Sequence, residues 1–116
     1  MWQAPAVNDE AVLKAVLDLG MEGDIPLWEI TSTCRQGQLI AEGAEGVEEL
    51  AGVLRYLARR DEIRILVGRW DDPEPRFVDL DEAETLLADP LRYSSSDEIA
   101  HDLERVYYVS VANIIQ

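Results

Sequence analysis

The sequence predicts an α+β domain, on three observations. Apolar residues recur at helical period through the first half, best between Val47 and Ala58. The period then changes to two across Ile63, Ile65 and Val67. β character returns near the end, in Val106-Tyr107-Tyr108-Val109-Ser110-Val111-Ala112. The chain has 116 residues, 47% of them hydrophobic, with no repeat and no long linker, so one domain over 1–116 is expected.

Each element follows in order. Asn8 suits an N-cap, with Asp9 and Glu10 at the positive end of the helix that Val12, Leu13, Val16 and Leu17 continue. Gly20 and Gly23 end it. A second helix is expected from near Asp24, with Pro26 in its first turn, where a missing N–H forfeits no helical bond. Leu27, Ile30 and Cys34 share one face, and Gly37 stops the helix. Gln38-Leu39-Ile40-Ala41 is either a short strand or a crossing of the core, and Gly43 and Gly46 mark a loop. The third helix spans Val47 to Arg60. A strand over Ile63–Val67, a turn at Asp71-Asp72-Pro73-Glu74-Pro75 and a strand over Arg76–Leu80 make a hairpin. Asp81 and Glu84 resemble a capping box for a short helix that Pro90 ends. Ser95 and Glu98 form a second box, with Ile99, Leu103 and Val106 continuing that helix. The last strand is expected beside the hairpin. An edge exposed along Tyr107 to Val111 would let it pair with its copy in a homodimer.

Charge narrows the function classes. Asp and Glu number 24 against 10 Lys and Arg, a net charge of −14. Residues 1–60 carry −5 and residues 61–116 carry −9. Such a field repels phosphate and attracts basic surfaces. A lone cysteine excludes a disulfide scaffold and suits a reducing compartment. No apolar run is long enough to span a membrane, and Met1-Trp2-Gln3-Ala4-Pro5 lacks the basic and apolar regions of a secretory signal, so a cytoplasmic protein away from membranes is expected.

Three helices followed by strand, turn and strand resemble a winged helix-turn-helix domain. The resemblance rests on Val47 to Arg60, Ile63-Arg64-Ile65-Leu66-Val67, the Asp71–Pro75 tip and Phe77-Val78-Asp79-Leu80. It covers a core of about residues 8–80, and the C-terminal helix and strand of about 81–116 resemble extensions on small uncharacterised bacterial winged-helix-like proteins. The resemblance implies a winged-helix-like three-helix core with a β-hairpin wing, and a third helix that reads the major groove through its N-terminal residues. Here that end holds Glu45, Glu48 and Glu49, and the wing tip holds Asp71, Asp72 and Glu74. Both oppose phosphate, so nucleic-acid binding is not expected. If it occurs, Arg55, Arg59, Arg60, Arg69 and Arg76 are its carriers. Arg55 and Arg59 share a helix face and are expected to pair with acids such as Glu62.

No catalytic, cofactor or metal site is expected. His101 is the sole histidine, set between Ala100 and Asp102, with no nucleophile fixed near it. Cys34 falls on a buried face, although Arg35 beside it would favour the thiolate. Zinc-type spacing and phosphate-binding glycine loops are missing, and Asp79, Asp81, Glu82 and Glu84 fit a helix start better than a calcium loop.

The function expected is therefore a small acidic non-catalytic protein that binds a basic protein partner, as an inhibitor or immunity protein does. Its surface is Asp71, Asp72, Glu74, Asp79, Asp81, Glu82 and Glu84, anchored by Trp70, an aromatic ringed by charge. The alternative is a winged-helix transcription regulator.

Overall fold

Burial at every fourth residue, Val12, Val16 and Gly20, marks the inner face of the first helix, α1 (Val7–Gly20), which begins one residue ahead of Asn8. The computed structural model describes residues 7–68, 75–93 and 105–114. The chain is α+β: helices enclose one side of a four-stranded antiparallel sheet in the order β1-β4-β2-β3.

Asp24 does not open a helix. Ile25 and Pro26 form β1 and pair with Tyr108 and Tyr107. The residue before a proline is pushed out of the helical region, so Ile25 is extended, and α2 (Leu27–Gln36) starts only after Pro26 as N-cap. Leu27, Ile30 and Cys34 then face the core, as their spacing predicts. At the end of α2, Gln38 adopts a left-handed φ of 58°. Its N–H donates to Arg35 O at 3.0 Å, and Leu39 N–H to Cys34 O at 2.8 Å. This paired closure of the last carbonyls is a Schellman motif. Gln38 to Ala41 is no strand: it is an irregular connection, exposed at both ends, that buries Ile40 in the core.

The third helix, α3 (Ala44–Arg59), begins three residues before Val47, so Gly46 lies inside it and not in a loop. Leu50, Val53, Leu54 and Leu57 form its buried stripe. It ends like α2: Asp61 has φ 60°, its N–H donates to Ala58 O at 3.1 Å, and Glu62 N–H donates to Leu57 O at 2.9 Å. β2 (Ile63–Gly68) follows. The hairpin forms, with Leu66 opposite Phe77 and Val67 opposite Arg76. Its second arm, β3 (Arg76–Phe77), is shorter than the pattern Arg76 to Leu80 predicts.

That arm is cut short by the next helix. α4 (Leu80–Leu87) is capped by Asp79, whose side chain accepts from Glu82 N–H at 2.8 Å, and not by Asp81. Both Asp79/Glu82 and Asp81/Glu84 have capping-box spacing, and Asp79 is the residue already extended on leaving the strand. α4 ends at Leu87, and Pro90 opens a 3-10 turn (Pro90–Tyr93) whose Tyr93 hydroxyl donates to Leu87 O at 2.6 Å. The capping box at Ser95 and Glu98, with Ile99 and Leu103, lies outside the described residues; Val106 belongs to a strand.

That strand, β4 (Arg105–Ser110), corrects two expectations. It is no appendage to a finished core, since it supplies a central strand. Nor is it an open edge for a copy of the chain: β2 pairs with it from Ile63–Ser110 to Gly68–Arg105, and β1 covers Tyr107 and Tyr108 on its other side. At Val111 the chain turns into a short helix, α5 (Val111–Ile114), so Val111 and Ala112 are not in the strand.

The core lies between the sheet's inner face (Ile63, Ile65, Val67, Val106, Tyr108) and the buried faces of α1 to α4. Tyr108 is fully buried, and its hydroxyl donates to Val16 O at 2.8 Å. Ser110 donates to Leu17 O at 2.7 Å. These two bonds satisfy carbonyls near the end of α1 and fasten it to β4.

Candidate functional site

The site read from the sequence centres on the hairpin and α4. Arg69, Trp70, Asp71, Asp72 and Glu74 lie outside the described residues. Asp79, Asp81, Glu82 and Glu84 come together at the start of α4. Three of the four are engaged within the chain. Asp79 caps the helix, Glu82 pairs with Arg76 at 3.0 Å, and Glu84 pairs with Arg59. Asp81 is exposed and forms no ion pair with a described residue.

The arginines are drawn into the same pairs. Arg59 reaches Glu84 because α4 packs on α3. Arg60, not Arg55 or Arg59, takes Glu62 at 2.9 Å, because the left-handed Asp61 turns the chain back on itself. The hydrogen bond that Arg60 donates to Glu62 raises the Arg60 pKa, and the Tyr56 ring lies 5.4 Å beneath its guanidinium. Arg64 pairs with Asp61 at 2.9 Å. Such exposed pairs add little stability; their effect here is to cancel charge locally. Arg55 sits half-buried on α3, on the side of the Tyr93 phenol. Arg55, Arg59, Arg60 and Arg76 therefore make no continuous positive face, since three of them are matched by carboxylates.

The unmatched acid is elsewhere. Every ion pair among the described residues falls between Arg59 and Arg92. Glu42, Glu45, Glu48 and Glu49 are exposed at and before the start of α3 and join none of these pairs. Glu45 and Glu49 stand four apart on one helix face, a like-charge pair that weakens the helix. The helix dipole favours Glu45 in the first turn, but its influence fades beyond that turn. From the sequence this cluster stood out only as a reason against DNA binding. The signal that marks it is positional: four residues after Glu48 and Glu49, where a basic partner would sit, come Gly52 and Val53.

Beside this cluster a groove of 640 Å³ runs between α2 and α3. Trp28, Ser32, Arg35, Val47, Pro90 and Tyr93 line it. The Arg35 guanidinium donates to Gly43 O at 3.4 Å across its mouth. The groove thus offers an apolar strip, with Trp28 half-buried, next to carboxylates that form no ion pair with a described residue.

Cys34 is fully buried, and burial pushes its thiol up to about 11 from an ordinary value of 9.0. A buried neutral thiol is a poor nucleophile. Because the folded state holds this proton more tightly, stability is unaffected below the unfolded pKa and falls as pH rises from about 9 to about 11. Native protein is therefore expected to resist iodoacetamide at pH 8, with alkylation appearing only as denaturant unfolds it; labelling of the native state within minutes would contradict the burial. His101 lies outside the described residues. Among the described residues, no group of three or more His, Cys, Asp or Glu is placed to hold a metal ion, and no helix is long and apolar enough to cross a membrane.

No family model, curated protein or solved structure matches this chain significantly.

Proposed function

We propose that this chain is a non-catalytic binding protein for a basic protein partner, acting in the manner of an inhibitor or immunity protein. One observation carries the reading: Glu42, Glu45, Glu48 and Glu49 are exposed and form no ion pair with a described residue, while Arg59, Arg60 and Arg76 are tied to carboxylates. A surface that keeps like charges together against helix stability is suited to an outside cation. The carboxylates steer a basic partner and the neighbouring groove gives it an apolar seat. Trp70 with Asp71, Asp72 and Glu74 belongs to the same proposal as a second arm.

The test is affinity capture under native conditions with the wild type and with Glu45→Lys/Glu48→Lys/Glu49→Lys. The wild type is expected to recover a basic protein in a salt-sensitive complex, with binding reduced about a hundredfold in the triple variant, as for loss of several steering and contact charges. Recovery of the same partners by both proteins would remove α3 from the interface.

A second reading, a winged-helix transcription regulator, draws on the element order α1-β1-α2-α3-β2-β3. A gel shift at low salt against genomic fragments separates the two. Salt-sensitive binding that Arg55→Ala/Arg59→Ala abolishes would favour the regulator.

A further inference from the structure

Five large apolar side chains are exposed among the described residues, and Phe77 and Ile114 line one cleft next to a second lined by Met21. A cleft of 370 Å³ is lined by Leu17, Asp18, Met21, Asp61, Glu62 and Val111, among others. A second, of 200 Å³, is lined by Arg64, Phe77, Val111 and Ile114. A third, smaller one includes Asp61, Arg64 and Leu80. The first two share Val111, the last two share Arg64, and the first and third share Asp61. They therefore form one surface around α5 and the start of β2. Met21, Phe77, Leu80 and Ile114 are each 40% exposed or more on it. Soluble proteins rarely leave such a patch uncovered without a use.

Charge selects the occupant. Arg64 and the nearby Arg60 are already paired, with Asp61 and Glu62. Asp18 lines the first cleft, Glu22 follows Met21, and neither forms an ion pair with a described residue. The rim is thus net negative around an apolar floor. A second copy of this chain, itself at −14, would set carboxylate against carboxylate. An amphipathic segment bearing Lys or Arg matches both features.

We propose that the surface around α5 docks a basic amphipathic segment of a partner protein, seating its apolar face on Met21, Val111, Ile114 and Phe77 and its cations on Asp18 and Glu22. This rests on the reading that the partner is basic, and adds an anchoring site separate from the α3 carboxylates. Met21, being unbranched and polarisable, adapts to varied anchors.

The test titrates the isotope-labelled full chain with a synthetic amphipathic Leu/Lys peptide, and with its Leu/Glu counterpart, followed by amide chemical shifts. The Leu/Lys peptide is expected to shift residues 17–22 and 111–114, and the Leu/Glu peptide to leave them unmoved. Met21→Ser/Ile114→Ser is expected to weaken binding about tenfold, the scale of losing one anchoring contact. Asp18→Lys, a surface change that leaves the apolar floor intact, is expected to weaken it similarly and serves as the check if the double variant misfolds. Shifts confined to α3 would overturn this docking site while sparing the basic-partner reading. No shift with either peptide would overturn the site, and the capture experiment would then decide the wider reading alone. Dimerisation of the free chain through residues 111–114 would also overturn it.

Discussion

Gly46→Ala is expected to destabilise the protein by about 3 kcal/mol, near the upper end for overpacking a rigid site. Gly46 is buried in the first turn of α3, where the chain arriving from Ile40 passes directly over it. A Cβ at Gly46 would overlap the Ala41 carbonyl oxygen and press on the Ala41 carbonyl carbon at 2.8 Å. Both are backbone atoms, so no side-chain rotation relieves the clash. Retreat of Ala41 would drag Ile40, which is 6% exposed, out of the core. Alanine is otherwise the better helix former by about 1 kcal/mol, so propensity alone predicts the opposite sign. Urea denaturation of the two proteins checks this. A midpoint equal to or above that of the wild type would mean that the connecting segment is not seated on α3.

Tyr108→Ala is expected to cost about 4 kcal/mol, and Tyr108→Phe about 1 to 2 kcal/mol. The gap separates two jobs of one residue. The ring fills the centre of the core between α1 and the sheet, with no exposed surface. The hydroxyl donates to Val16 O, and burial raises its pKa well above the ordinary value, so it stays a donor throughout the stable pH range. Gly20 permits the approach: a Cβ there would lie 2.8 Å from Ser110 N and 2.9 Å from the Tyr108 ring. Phenylalanine leaves the ring in place and removes the donor alone. Thermal unfolding followed by circular dichroism gives both values; equal losses for the two variants would show that the ring contributes nothing beyond its hydroxyl.

Much of this architecture is legible in local pattern. The stripe Leu50, Leu54, Leu57 and the alternation Ile63, Ile65, Val67 fall in the core as their periods predict, and Cys34 is buried by its spacing from Leu27 and Ile30. Local pattern also misleads where two answers fit it equally. Asp79 and Asp81 are both spaced as caps, and the strand that delivers Asp79 in extended form decides between them. Pro26 fits a helix start, yet it also makes Ile25 extended and so creates β1. The candidate site is the least legible part, because charge matching is tertiary. Arg59 and Glu84 are 25 residues apart and meet only once α4 lies on α3. Counting charge along the chain therefore points to residues 61–116, whereas Glu42, Glu45, Glu48 and Glu49, in no ion pair with a described residue, stand together at the head of α3. The apolar surface around α5 was hidden for a related reason: Val111 continues a β-like run in sequence but turns out of the sheet.

The central position of β4 bears on how this chain is made. β1 and β2 do not touch in the ladder; β4 lies between them and pairs with both, and the ribosome delivers it last of the four strands. Until residues 105–110 emerge, β2 carries a bare edge on the side that β4 will fill, with only β3 bonded to its other side. Closure then requires pairing across more than eighty residues between Ile25 and Tyr108, the kind of distant contact that slows folding. A nascent chain halted before Arg105 would hold its helices beside an unfinished sheet, open to any extended segment nearby.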